Sequence, residues 1–213
     1  MRAWVAAFAV LLAGCGNKPV APDWQVEAHG ALERYEQAYL AGASRAADAE
    51  FRRARDALAA TGQPTLVARA ELTRCALQVA TLAFEPCTGF EPLQADAAAP
   101  ERAYAAYLAG QQAPADQLPA HHRAVAARGD AAAVAEIADP LARLVAAGVV
   151  MRSGRGTPQL LQVAADTASA QGWRRALLAW LGAQLKLAEQ AGDTEGALRL
   201  RRRIALASDG ATR

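Results

Sequence analysis

The sequence predicts an all-α fold of antiparallel helical hairpins, arranged as an irregular bundle or as a short α-solenoid. Apolar residues make up 53% of the chain, whereas aromatic residues make up only 6%. Ala and Leu, both strong helix formers, dominate the apolar fraction, and the runs of Val, Ile and Thr that favour strands are almost absent. Gly or Pro interrupts the chain roughly every 15 to 20 residues, a spacing typical of helices joined by short turns.

The first element is an export segment. Arg2 precedes an uncharged run, 3–12, which has the length of a secretory hydrophobic region and is well short of the ~20 residues that a spanning helix needs. The run ends in Leu12-Ala13-Gly14-Cys15, which resembles the lipobox of bacterial lipoprotein signal peptides. The resemblance implies that residues 1–14 are removed and that Cys15 carries a diacylglycerol on its sulfur and an acyl chain on its new amine. The alternative is an ordinary Ala-rich signal peptide in which the Cys occurs by chance.

The lipid on Cys15 predicts the membrane in which the protein is anchored and how far the folded domain lies from it. Stable anchoring takes two or more acyl chains. In the lipoprotein family an Asp after the lipidated Cys retains the protein in the inner membrane. Here that residue is Gly16, which predicts the periplasmic face of the outer membrane. Residues 15–23 are predicted to form a flexible tether, of which the segment 16–22 would reach at most ~25 Å at ~3.3 Å per residue. The folded domain is therefore expected close to the bilayer.

Residues 24–112 are predicted to form an N-terminal helical half. The expected helices cover 24–40, 44–62, 64–84 and 100–110. Gly42 ends the first helix, and Ser44 is expected to cap the second. The third helix is apolar around most of its circumference, which predicts a central place in the core.

Residues 113–213 are predicted to form a C-terminal helical half that packs with the first as one domain. Two prolines within 113–120 mark the boundary. The expected helices cover 121–128, 130–147, 158–171, 173–191 and 194–207, and Pro140 is expected to kink or split the second of them. Thr157 and Asp193 are predicted helix caps, and 152–156 is predicted to be a loop.

Three cysteines are present, and the lipid uses one of them. Cys75 and Cys87 are left as an even pair in an oxidising compartment, which predicts a disulfide. The three residues that follow a helix ending near Phe84 are long enough to return to Cys75. Two free buried thiols are the alternative. The spacing, with no nearby His, fits no common zinc site.

Two segments resemble the helix pairs of tetratricopeptide repeats. The first, 32–59, has Tyr39 in its first helix, Gly42 at the turn and Phe51 in its second helix, and the other segment is 178–204. The middle of the chain lacks the pattern. A short TPR-like α-solenoid and an irregular bundle with similar hairpins both remain open.

No motif predicts catalysis, a metal site or a cofactor. His121 and His122 are adjacent on a helix, so they point about 100° apart and chelate one metal poorly. Arg152 and Arg155 flank Gly154 before a helix start, where they are expected either to hold an anion or to lie in a solvated loop. The four tyrosines are expected to line a ligand groove or, more commonly, to pack in the core, and they are Tyr35, Tyr39, Tyr104 and Tyr107.

The densest charge lies in the last predicted helix. Its arginines are Arg199, Arg201, Arg202 and Arg203. They predict a solvated edge of the bundle or solenoid or, because the tether is short, a basic face against anionic phospholipid. With a net charge of +2, the chain carries no field that would favour nucleic acid.

The sequence therefore predicts a non-enzymatic, membrane-anchored lipoprotein whose helices bind an envelope protein or assist envelope assembly. A protein that acts on the cell wall or binds a small molecule through an unrecognised site is the alternative.

Overall fold

The computed structural model describes residues 21–209, and the lipobox with Cys15 lies outside this range. Within it the chain forms ten α-helices and no strand, which confirms the predicted all-α fold. The helices are α1 Asp23–Ala41, α2 Ser44–Ala59, α3 Pro64–Ala80, α4 Ala99–Leu108, α5 Ala120–Arg128, α6 Ala131–Ala135, α7 Pro140–Arg152, α8 Pro158–Ala170, α9 Arg174–Gln190 and α10 Thr194–Asp209. Short 3₁₀ turns lie at Glu91–Leu93 and Ala115–Gln117.

The core is built where α3 crosses α7. Ten residues of α3 are buried, which places this helix at the centre as predicted. Gly148 of α7 lies against the main chain of Val79, so the two helices approach closely. The α1–α2 hairpin packs beside α3, and α8, α9 and α10 continue from α7 as successive neighbours.

The end of α3 differs from the prediction. The helix stops at Ala80, not near Phe84, and Leu82 takes a left-handed conformation with φ 59°. The Thr81 hydroxyl donates to the Leu77 carbonyl oxygen within the last turn. The Trp180 indole Nε1 of α9 donates to the Ala80 carbonyl oxygen at 3.0 Å. These contacts satisfy carbonyls that a longer helix would have bonded itself, so the helix can end earlier.

Helix starts were predicted with mixed success. The Thr157 hydroxyl accepts from the Leu160 amide and the Asp193 carboxylate accepts from the Gly196 amide, which confirms both caps. Ser44 does not cap α2, and its hydroxyl instead accepts from the Arg175 guanidinium at 2.7 Å.

The segment 130–147 was also predicted only in part. It is split before Pro140, one of the two outcomes expected. α7 then continues through Arg152, so the residue expected to start the loop belongs to the helix. The buried residues Val149 and Val150 extend the packed face of α7, and this burial outweighs the weak local signal for a loop.

Candidate functional site

An open groove runs along the three C-terminal helices. α9 forms its floor, and α8 and α10 form its two walls. Its volume is about 610 Å³, and its lining includes Leu161, Gln184, Leu187, Ala188, Arg199, Leu200 and Arg203. The Gln184 amide donates to the Gln162 side chain at 3.2 Å and so links the floor to one wall. The groove thus combines a largely apolar floor with a wall that carries Arg199 and Arg203 and, at the start of α10, Asp193.

α10 supplies the basic wall because only one side of it is packed. Gly196 and Ala197 are its only buried residues. On the opposite side, Leu198 is 46% exposed and Leu206 is 79% exposed. This amphipathic helix therefore leaves both charged and apolar groups available to a partner.

The four arginines of α10 do not share one face. Successive residues turn by about 100°, which puts Arg201 on the far side from Arg199 and Arg203 and about 100° from Arg202. Arg201 pairs with Glu189 of α9 at 2.6 Å, and Arg199 pairs with Glu195 one turn earlier. Arg202 and Arg203 are exposed and form no ion pair with a described residue. Two of the four charges are therefore free for an external anionic group.

The structure brings Cys75 and Cys87 to disulfide distance, with their Cα atoms 5.8 Å apart. This link ties the segment after α3 back to the helix. Beneath the segment, the Glu71 carboxylate is buried and pairs with Arg55 at 2.9 Å and with Arg74 at 2.7 Å. The pair of cysteines thus lies beside a buried ion-pair cluster, which is consistent with a structural role.

The tyrosines fall into two separate clusters and line no common groove. Tyr35 packs against Phe51, and the Tyr39 hydroxyl bonds to Thr81. Tyr104 and Tyr107 instead stack on the imidazole of His122. Packing in the core, the more common of the two expected outcomes, is therefore confirmed, and the two clusters are separate because α1 and α4 lie against different parts of the core.

The two adjacent histidines have different surroundings. His121 is exposed, whereas His122 is buried and its Nε2 donates to the Ala142 carbonyl oxygen at 3.1 Å. Burial lowers the pKa of His122 to about 4, so the ring is neutral at physiological pH. Among residues 21–209, no cluster of three or more His, Cys, Asp or Glu side chains is placed to hold a metal.

The side chains of Arg152 and Arg155 do not converge on one position at which both could bind the same anion. Arg152 bonds to the Leu108 carbonyl oxygen and covers the Phe84 ring. Arg155 turns the other way and bonds to Ser153. The extension of α7 to Arg152 separates them, since Arg152 keeps a helical conformation and Arg155 follows the turn.

Sequence reasoning missed the groove on α8, α9 and α10. Its lining comes from three helices, so no contiguous motif marks it. The only local signal was the basic pattern of α10. Within the described range, no helix has the length and apolar character to cross a bilayer. Comparisons with known protein families, curated proteins and solved structures gave no match.

Proposed function

We propose that this chain is a lipid-anchored lipoprotein of the periplasm that acts as a non-enzymatic protein-interaction module. The lipobox supports a lipid on Cys15, and Gly16 supports retention at the outer membrane. The short tether then keeps the helical domain close to the bilayer, in an oxidising compartment where Cys75 and Cys87 form a disulfide.

The groove of α8, α9 and α10 is the observation that carries the interaction role. Leu161, Leu187 and Leu200 give it apolar contacts, and Leu187 is 37% exposed on its floor. Arg203 lines its wall and forms no ion pair with a described residue. The proposed occupant is an acidic amphipathic helix of an envelope protein, which sets apolar side chains on the floor and carboxylates against the arginines.

The shape of the groove favours a helix over a phospholipid surface. Helices pack at about 8–10 Å, so the two walls flanking α9 leave a channel close to the diameter of one helix. A bilayer surface is flat on this scale and reaches only the outer edge of α10. The floor between the two walls is therefore better matched by a protein helix than by a flat layer of lipid headgroups.

The anchor is tested with Cys15→Ala, compared with Gly14→Ala, which keeps a small residue in the box. We expect labelled palmitate to enter the Gly14→Ala protein and not the Cys15→Ala protein, and only the latter to leave the membrane fraction. Equal membrane retention and equal labelling of both variants would contradict the anchor.

The groove is tested by placing a photocrosslinking amino acid at Leu187 in intact cells, with Val26 on α1, which is more exposed (61% against 37%), as the control position. We expect a protein adduct from position 187 only, mapped by mass spectrometry to an acidic amphipathic helix. Arg203→Glu should reduce the adduct about threefold or more, whereas Arg52→Glu on α2 should not. A Glu→Lys change at the mapped helix should restore it.

Three outcomes would refute this binding mode. They are the absence of an adduct at position 187, an adduct with a second copy of this chain, and binding of the purified protein to anionic vesicles that depends on Arg203 while no protein adduct forms.

A further inference from the structure

A second cavity, of about 760 Å³, lies between the end of α4, the segment 110–114, α5 and the turn after α7. Val125 and Val149 are apolar residues of its lining, and Ser153 and Tyr107 also line it. Arg155 is the one charged residue among those that line it. The cavity therefore has a single positive charge and no acidic group to neutralise it.

The guanidinium of Arg155 is held in place from two sides. Its Nε donates to the Ser153 hydroxyl at 3.1 Å. The terminal nitrogens of the guanidinium lie against Gly129. A Cβ added to Gly129 would come within 2.7 Å of Nη2 and closer still to Nη1, so only a glycine leaves room for the guanidinium here. Gly129 also has φ 62°, a conformation that favours glycine. Neither terminal nitrogen of Arg155 donates to a described residue, so a positioned fork of donors is left free.

Tyr107, which also lines this cavity, has a buried hydroxyl. Its ring is fixed by the rings of Tyr104 and His122, with centroids 6.1 Å and 5.0 Å away. Tyr107 is only 2% exposed, and its hydroxyl has no hydrogen-bond partner among the described residues. Burial raises the pKa of Tyr107, and the positive charge of Arg155 opposes this shift, as expected of neighbouring groups. A buried hydroxyl without a partner is costly, and a Phe would avoid that cost.

We infer that this cavity binds a small organic carboxylate, which pairs with the terminal nitrogens of Arg155 and accepts a hydrogen bond from the Tyr107 hydroxyl. A guanidinium fork matches the two oxygens of a carboxylate, and one arginine balances one negative charge. The valine walls accommodate an apolar body attached to the carboxylate. This site is separate from the groove of α8, α9 and α10, and it stands whether or not that groove binds a protein.

The carboxylate has two possible sources, a free organic acid or the C-terminus of a peptide. Benzoate serves as the probe for the first source and the dipeptide alanyl-alanine for the second. Benzamide, the neutral isostere of benzoate, is the control for charge, and inorganic phosphate is the control anion without a carboxylate. Binding of each compound to the full chain is measured by ligand-observed nuclear magnetic resonance and by thermal stabilisation.

We expect benzoate, alanyl-alanine or both to bind, and benzamide and phosphate not to bind. Arg155→Gln should weaken binding about tenfold or more, and Tyr107→Phe about threefold to tenfold, since the first removes a charged donor and the second a neutral one. Arg128→Gln, at the exposed end of α5 near this cavity, is the matched control and should leave binding unchanged. Tyr107→Phe should also keep or raise the unfolding temperature, which separates lost binding from lost folding.

The assignment is overturned if neither carboxylate binds, if binding is the same in Arg155→Gln as in the unchanged chain, or if phosphate binds in their place. Which of the two carboxylates binds more tightly identifies the source.

Discussion

Gly148→Ala is expected to destabilise the protein by about 2 kcal/mol, because Gly148 lies where α7 crosses the main chain of α3. A Cβ at this position would come within 2.8 Å of the Val79 carbonyl carbon and closer to its oxygen. Ordinary contacts between carbon atoms are 3.5–4.0 Å, so the two helices would have to separate by about 1 Å. Backbone cannot rotate away as a side chain can. The cost is therefore near the upper end of the ~1–3 kcal/mol typical of overpacking, and the ~1 kcal/mol of helix propensity gained by Ala offsets part of it.

Gly182→Ala is the matched control for this experiment. Gly182 lies within α9, and a Cβ there meets nothing within 4 Å. Only the higher helix propensity of Ala over Gly then acts, and the variant should be more stable by about 0.5–1 kcal/mol. For a chain of this length these changes correspond to an unfolding temperature roughly 4–8 °C lower for Gly148→Ala and about 1–4 °C higher for Gly182→Ala.

Both variants are measured by thermal and urea unfolding, followed by far-ultraviolet circular dichroism and by tryptophan fluorescence. Agreement of the two signals supports the two-state treatment. A Gly148→Ala protein as stable as the unchanged chain, or stabilised like Gly182→Ala, would refute the close approach of α3 and α7.

Three further predictions concern single groups. Reduction of the Cys75–Cys87 pair should lower the free energy of unfolding by about 3 kcal/mol, as expected for a loop of this size, and a Cys75→Ala, Cys87→Ala double variant should not respond to reductant in urea unfolding. The pKa of His122 is about 4 in the folded chain against 6.5 for the free side chain, so the unfolded chain binds the proton first as the pH falls. The neutral ring therefore contributes roughly 3 kcal/mol to the free energy of unfolding above pH ~6.5, and this contribution is lost as the pH falls towards ~4. In His122→Phe the urea midpoint should depend less on pH across that window. Glu71→Gln should lower the free energy of unfolding by about 1–3 kcal/mol, because Arg55 and Arg74 lose the negative charge with which they pair. An unchanged urea midpoint would contradict this.

Features set by nearby residues were predictable from the sequence. The caps at Thr157 and Asp193 depend on an amide three residues away, and Cys75 and Cys87 are close enough in the chain for their pairing to follow from spacing. The central place of α3 followed from its apolar circumference.

Features set by distant residues were not predictable in this way. The early end of α3 depends on Trp180, and the loss of the Ser44 cap depends on Arg175, both from α9. The cavity at Tyr107 needs Arg155, which lies 48 positions later and reaches it only after α5 and α7 have packed. Single-sequence patterns carry no record of such pairs, because each partner looks like an ordinary helix or loop residue on its own.

The bond from Trp180 to Ala80 has a consequence for the order in which the chain can fold. The two residues are 100 positions apart, and a ribosome delivers the earlier one first. Until α9 emerges, the end of α3 lacks the indole that donates to its Ala80 carbonyl oxygen. Long-range contacts of this kind slow folding, since the intervening chain must close before they contribute. An emerging N-terminal half therefore lacks this contact of its final packing until α9 follows.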